Sequence, residues 1–192
     1  MRAVEQLPEG YREIYSVNLQ KDKNMAFWIN AAAALIGIAM AVPMAFVVPI
    51  STLFDMEAGF VAYIIRFAAL MVLSVAYIIL HEAIHGVAMK ICGTKKIKYG
   101  FTGMYAFAGS DDHYDKPAYI FIALAPVVVW GIVLAVVNCV VPVEWFWVIY
   151  MVQIMNISGA AGDLFVTLRF LRMPEDILVR DMGVSMTVYS KQ

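Results

Sequence analysis

The sequence predicts an all-α membrane protein, a four-transmembrane-helix bundle with a short β-hairpin or re-entrant loop between the second and third spans. Three observations predict this class. Hydrophobic residues make up 62% of the chain and charged residues only 15%, the apolar residues fall in four long runs, and lysines and arginines flank those runs. These features are typical of an integral membrane protein in a lipid bilayer rather than of a soluble domain. We expect one integral membrane domain over residues 1–192.

Each of the four runs is long enough to cross the hydrocarbon core, which needs about 20 residues of helix. The spans are expected at about 27–50, 60–89, 118–141 and 145–170. Residues 1–26 are polar and lack the apolar region of a cleaved signal peptide, so the first span would serve as an uncleaved insertion signal. Residues 171–192 form a polar tail. Pro43, Pro49 and Pro126 lie within or at the ends of the runs and predict kinked helices.

The distribution of basic residues predicts the orientation. Of the 14 lysines and arginines, all except Arg66 fall in the amino-terminal segment, the loop before the third span and the tail. The loops at 51–59 and 142–144 contain none. Because basic loops stay on the cytoplasmic side, both termini should be cytoplasmic. Cys92 and Cys139 should then lie on opposite faces of the membrane, where they cannot pair.

The net charge of −1 and the absence of a basic stripe exclude a nucleic-acid partner. The sequence contains no signal for an oligomeric state.

The second apolar run ends in the motif His81-Glu82-x-x-His85. Residues four apart project from one helix face, so the two imidazoles can bind one zinc ion with the glutamate beside it as general base. The chain has only 3 histidines, and a chance match is expected on the order of 0.002 times. The alternative is a pair of satisfied histidines in a helix interface, with Glu82 paired to Arg66 or a lysine. Ionisable groups near a membrane core rarely persist without a partner or a role, which favours the metal site.

Catalytic zinc commonly takes three protein ligands, so a third ligand is needed. The candidates are Asp163 and His113. We favour Asp163 because it is the one carboxylate in an otherwise apolar span, at the same predicted depth as the histidines, and follows small residues that permit close helix packing. The alternative is that Asp163 pairs with Arg169 or Arg172 at a helix end.

Together these residues resemble the site-2 protease family of intramembrane zinc metalloproteases. The shared pattern is a His-Glu-x-x-His at the end of one span, an Ala-Pro in the next at Pro126, and Asn156 with Asp163 in a later one. The chain is more closely similar to the small bacterial membrane proteins described as "putative zincin peptidases". The resemblance covers about residues 60–170. The larger family usually has a proline after the asparagine and a glycine directly after the aspartate. In this chain Gly159 and Leu164 occupy the comparable places.

The resemblance implies a zinc-dependent peptidase of the bacterial cytoplasmic membrane that cuts membrane-embedded protein or peptide substrates. The short distance in sequence from His85 to Lys90 predicts that the cuts lie near the cytoplasmic face. It implies that His81, His85 and Asp163 hold zinc and that Glu82 is the catalytic base. Asn156 would orient the substrate or stabilise the oxyanion. A rival interpretation from another class is a non-catalytic membrane protein for metal binding, transport or scaffolding. A fourth protein ligand such as His113 would favour that rival, because a catalytic site keeps one position open.

Residues 99–109 alternate aromatic side chains with glycines. This alternation predicts the short hairpin or re-entrant strand between the second and third spans. Its free edge could bind an extended substrate through main-chain hydrogen bonds. An aromatic loop that anchors the protein at the lipid headgroups is an equally good interpretation.

Overall fold

A computed structural model describes residues 3–18, 20–103, 105–183 and 185–191. Arg2 of the amino-terminal basic cluster and Met104 of the aromatic loop lie outside these ranges. The helices are α1 (Lys23–Val47), a short 3-10 helix (Ile50–Phe54), α2 (Phe60–Ile91), α3 (Lys116–Val140), α4 (Val143–Gly159) and α5 (Ala161–Phe170). The strands are β1 (Ala3–Val4), β2 (Tyr11–Asn18), β3 (Lys98–Phe101), β4 (Ala106–Gly109), β5 (His113–Asp115), β6 (Leu178–Asp181) and β7 (Ser185–Lys191).

The prediction of an all-α bundle is wrong, because the protein is mixed α/β. About 61% of it is helical, and a five-stranded antiparallel sheet has the order β1-β5-β6-β7-β2. Its strands come from segments that we had assigned to polar flanks and loops. The pairing joins residues at opposite ends of the chain, such as Tyr11 with Lys191, and local hydropathy contains no information about such partners. One local signal existed in β7, where Met186, Val188 and Ser190 alternate inward along the strand.

The predicted hairpin before α3 is present as a separate two-stranded sheet of β3 and β4. Tyr99 stands opposite Ala108 and Gly100 opposite Phe107. Gly100 is suited to this position because the Phe107 ring occupies the space where its Cβ would lie.

Among the described residues, four helical segments are long and apolar enough to cross a membrane: 23–47, 60–91, 116–140 and 143–170. They match the four predicted spans to within a few residues. The fourth segment is divided, because α4 ends at Gly159 and α5 begins at Ala161. Ala160 lies between them with φ −82° and ψ 15°, within the run of small residues. Asp163 consequently occupies the first turn of α5 rather than the interior of one long helix.

The contacts divide the chain into two compact units. The first, which we call the sheet unit, comprises Met1–Ile29, Leu80–Pro126 and Gly162–Gln192. The second, the helical unit, comprises Asn30–Ile79 and Val127–Ala161. Helices α2 and α3 each contribute to both units. A single integral domain remains a prediction.

The sheet unit has one buried core, to which the end of α2, the start of α3, α5 and the five-stranded sheet contribute. Its largest fully buried side chains include Tyr114, Phe170 and Met89. The helical unit has two smaller clusters, one around Trp147 and one around Tyr77.

Polar side chains in the helical unit donate mainly to backbone carbonyls. The donor and acceptor pairs are Tyr150 to Met40 (3.2 Å), Trp147 to Val48 (3.1 Å), Asn156 to Val127 (3.1 Å) and Gln153 to Gly131 (3.4 Å). The guanidinium of Arg66 likewise donates to the carbonyl of Asp55. Cys92 and Cys139 are both free thiols, in agreement with the sequence.

Candidate metal centre

His81 and His85 lie one turn apart near the end of α2, in the sheet unit. Both are buried, with 8% and 9% of their surfaces exposed. Their rings meet edge to face, with centroids 4.9 Å apart and planes at 75°. The helical spacing of the motif therefore places both imidazoles on one face, as the sequence predicts.

Asp163 completes the group from the first turn of α5. Its Oδ2 atom lies 3.6 Å from Nε2 of His81 and 3.7 Å from Nε2 of His85. The three ligand atoms all lie within 4.8 Å of one another. Ligand atoms at zinc bond lengths of 2.0–2.1 Å in a tetrahedral site would stand about 3.4 Å apart. Two imidazole nitrogens and one carboxylate oxygen are also a known catalytic zinc set, so these residues fit the ion in both chemistry and spacing.

The other ring nitrogen of His85 has a defined partner. Its Nδ1 lies 2.9 Å from the backbone oxygen of Ile122 in α3. A carbonyl oxygen can only accept, so Nδ1 must carry the proton. The lone pair of neutral His85 is then on Nε2, the atom that faces Asp163. Second partners of this kind commonly fix the orientation of a metal-binding histidine.

Glu82 follows His81 on α2 and is half-buried. Its carboxylate lies near the backbone N–H of Ala108 in β4 and within electrostatic range of His81, His85 and Asp163. The hairpin of β3 and β4 also contacts α2 at Gly86, one residue after His85. The Tyr99 hydroxyl occupies the space where a Cβ of Gly86 would lie. The motif and the hairpin therefore form one local structure.

The structure places the alternative ligand, His113, elsewhere in the sheet unit. His113 is a residue of β5, opposite Val4 on one side and Arg180 on the other. Its ring packs against Tyr189 at 5.5 Å. Burial, with a contribution from the charge of Arg180, lowers the pKa of His113. Among the described residues, the group that could hold a metal contains Asp163 and does not contain His113.

One of the two alternative partners considered for Asp163, Arg169, is engaged elsewhere. The guanidinium of Arg169 stacks over the ring of Tyr15, with its central carbon 5.1 Å from the ring centroid. Asp163 has the two histidines as its nearest ionic partners instead.

Asn156 lies on α4, in the helical unit, and is completely buried. Its Oδ1 accepts from the Tyr77 hydroxyl at 3.2 Å, and its Nδ2 donates to the carbonyl of Val127 at 3.1 Å. These two bonds fix the orientation of the amide. The catalytic role of Asn156 remains a prediction.

Sequence reasoning missed three groups that accompany the site. Two are backbone groups, the Ile122 carbonyl and the Ala108 N–H, and no side-chain pattern encodes them. The third is a buried pair in which the Tyr119 hydroxyl donates to Asp181. Asp181 also accepts from the N–H of Gly183 at 2.7 Å. Burial raises the pKa of Asp181 to about 6. An acid at the end of a short apolar strand was the only signal for this pair.

Comparison with known proteins agrees with this geometry. An uncharacterized 24.7 kDa protein from the gap 5' region of Pyrococcus woesei is 31% identical over 114 residues, which are 57% of this chain and 49% of that protein. The chain thus matches about half the length of this relative. No solved structure matches. The sequence profile of a family described as "Putative zincin peptidase" matches residues 74–178, more than half of the chain, including both histidines, Glu82 and Asp163. The chain therefore belongs to the putative zincin peptidase family.

Proposed function

We propose that this protein is a zinc-dependent intramembrane peptidase that hydrolyses peptide bonds of membrane-embedded substrates. The observation that carries the proposal is the spacing of the Asp163 carboxylate from the two histidine nitrogens, 3.6 and 3.7 Å. Zinc held by these three side chains would supply an activated water and an electrophile for the substrate carbonyl. Four helical segments with the length and composition of membrane spans support the location.

Glu82 is the general base in this proposal. It lies on the same helix as the two histidines and within electrostatic range of all three ligands. A glutamate so placed can take the proton from the attacking water and pass it to the leaving amine. A hydrogen bond from the nearby N–H of Ala108 would hold the carboxylate in one orientation.

The hairpin is the element that we propose for holding the substrate. A peptide bond in a membrane helix is protected by helical hydrogen bonds, so a substrate must become extended before cleavage. Strand β4 contains the N–H of Ala108 that lies near Glu82, so a β-strand backbone lies beside the proposed base. A substrate strand added to this small sheet would be extended close to the metal centre.

Loss of hydrolysis without loss of zinc is the direct test of this function. The purified protein in lipid nanodiscs is assayed for zinc content and for cleavage of a panel of transmembrane peptides. Glu82→Gln should retain stoichiometric zinc and lose hydrolysis, because glutamine cannot accept the proton. Glu57→Gln, at an exposed position, is the matched control and should cleave normally. Equal cleavage by the Glu82→Gln and native proteins would refute the assignment. Zinc without cleavage in the native protein would favour a metal-binding or transport protein.

We also propose that both termini and the loop that contains Lys95 face the cytoplasm, on the basis of the lysine and arginine distribution. Single cysteines introduced as Ser51→Cys and Lys95→Cys, in a chain whose native cysteines are replaced by alanine, test this orientation. A membrane-impermeant thiol reagent added to intact cells should modify only Ser51→Cys. Modification of only Lys95→Cys would reverse the orientation.

A further inference from the structure

Pro126 lies inside α3, where it removes one backbone hydrogen bond. In an α-helix the N–H of residue 126 would donate to the carbonyl of residue 122. Proline has no N–H, so the oxygen of Ile122 lacks its helical donor. Ile122 is only 2% exposed, and a freed carbonyl in a buried or lipid environment must find another donor. The proline therefore creates an unfilled acceptor at a defined point on α3.

The donor that fills this acceptor is a residue of the metal centre. Nδ1 of His85 lies 2.9 Å from the Ile122 oxygen. This bond requires the proton on Nδ1 and leaves Nε2 free to bind a cation. With the opposite tautomer, Nε2 would carry the proton and could not be a ligand. The orientation of one ligand is thus set by the backbone oxygen that the proline leaves unpaired.

We propose that Pro126 is a positioning residue for the metal centre: it reserves the Ile122 oxygen for Nδ1 of His85 and so holds Nε2 as the ligand atom. This inference rests on the zinc site of the proposed function, but it concerns the position of the proton on neutral His85, which can be measured without metal. Packing is the competing role, because the Pro126 ring is itself fully buried.

The chain offers a matched control in Pro43, the proline inside α1. The carbonyl that lacks its helical donor there is that of Ala39, and the Tyr150 hydroxyl donates to the next carbonyl, that of Met40, at 3.2 Å. No metal-binding histidine is involved at that position. Replacement of Pro43 therefore reports the general cost of changing a proline inside one of these helices.

The test separates the missing N–H from the proline ring. Position 126 is replaced either by alanine, which restores the N–H, or by lactic acid, which has the same methyl group and an ester oxygen in place of the N–H. Nitrogen-15 NMR of labelled histidine reports the tautomer in the metal-free protein, at a pH high enough for the imidazoles to be neutral. The chain has only 3 histidines, and His81→Ala and His113→Ala assign the signals. Zinc affinity is measured by competition with a chelator.

The native protein should show His85 as the Nδ1–H tautomer. Pro126→Ala should add the Nε2–H tautomer and weaken zinc binding by about 10- to 100-fold, the usual range for losing such a partner. The lactic acid variant and Pro43→Ala should resemble the native protein in both readouts. The inference would be overturned if the alanine and lactic acid variants both resembled the native protein, or if both showed the altered tautomer and weaker zinc binding. A tautomer difference between them in a protein that cleaves no peptide would uphold the inference and count against the proposed peptidase.

Discussion

The sheet unit and the helical unit use polar side chains in different ways. In the helical unit, neutral groups such as Tyr150, Trp147 and Gln153 donate to backbone carbonyls of other segments, and Arg66 does the same from a charged group. In the sheet unit, ionisable groups meet one another, as His81 and His85 meet Asp163. The first pattern joins helices in an apolar environment. The second pattern brings ionisable groups together, and such an arrangement in an apolar protein indicates a metal-binding or catalytic site.

Helix α2 shows this difference within one element. Its first part, up to Ile79, belongs to the helical unit, and its last part, from Leu80, belongs to the sheet unit. The boundary falls one residue before His81. The apolar part needs only length to serve as a span, whereas the last turns need exact neighbours from β4, α3 and α5. We therefore expect substitutions in the sheet unit to change metal binding and catalysis, and substitutions in the helical unit to change mainly stability.

Ligand removal should have the largest effect. His81→Ala, His85→Ala and Asp163→Ala should each abolish stoichiometric zinc binding, because each removes one of three ligands. His113→Ala should retain zinc, since His113 lies in the sheet away from this group. Metal analysis of the purified variants measures the effect. If Asp163→Ala kept its full zinc content and His113→Ala lost it, His113 rather than Asp163 would be the third ligand.

The contact between α2 and the hairpin should have the next largest effect. In Gly86→Ala the added methyl group would displace the Tyr99 hydroxyl, so peptidase activity should fall about 10-fold while zinc is retained, the equivalent of roughly 1.4 kcal/mol. The double variant Gly86→Ala with Tyr99→Ala should be no less active than Tyr99→Ala alone, because the overlap is gone. Gly37→Ala, where a Cβ would meet only an ordinary 3.6 Å contact, is the control. Additive losses in the double variant would contradict this contact.

Protonation of Asp181 should give the sheet unit a stability that depends on pH. Burial raises the pKa of Asp181 from 3.8 to about 6, with Tyr119, His85 and Asp163 as its polar neighbours. Between these values the native state holds a proton that the unfolded chain has lost, so the free energy of unfolding falls as pH rises from 4 to 6. Two pKa units correspond to at most about 3 kcal/mol.

Unfolding of the metal-free protein by denaturant, measured from pH 4 to 7, tests this dependence. Asp181→Asn should remove the fall in stability that the native protein shows. Asp176→Asn provides a control of opposite shift: the Lys191 N–H lowers the pKa of Asp176 below 3.8, so its stabilisation is lost only at lower pH and the substitution should leave the fall in stability from pH 4 to 6 unchanged. The same pH profile in native and Asp181→Asn proteins would show that Asp181 keeps an ordinary pKa.

Loss of the Gln153 amide in the helical unit should have the smallest effect. Gln153→Ala removes a 3.4 Å bond to the Gly131 carbonyl and should cost about 0.6 kcal/mol, the average for such bonds between membrane helices. Its zinc content and activity should be native. Asn156→Ala should retain zinc but lose activity if its amide contacts the substrate. Equal activity of the two alanine variants would remove Asn156 from the catalytic residues and leave it a helix contact.

The sequence predicted the parts that depend on composition and local spacing. Four spans followed from hydropathy, and the His81 and His85 pair followed from helical periodicity. Asp163 was found because an acid in an apolar span is unusual. The five-stranded sheet was missed because β2 pairs with β7 across most of the chain, and such pairing is decided by tertiary structure. The helix break at Ala160 was missed because small residues also suit close helix packing.

We propose that the site formed by His81, His85 and Asp163 cuts peptide bonds within membrane spans near their cytoplasmic ends. Mass spectrometry of product termini, from a transmembrane substrate cleaved in nanodiscs by the native protein, tests this most directly. Because His85 precedes Lys90 and Lys95 on the basic side, the cuts should cluster within one or two helical turns of the cytoplasmic end of the span. Helix-weakening glycine or proline residues should favour cleavage, and Glu82→Gln should give no products. Cleavage in the outer half of the span, in soluble loops regardless of the membrane, or equally by Glu82→Gln would contradict the account.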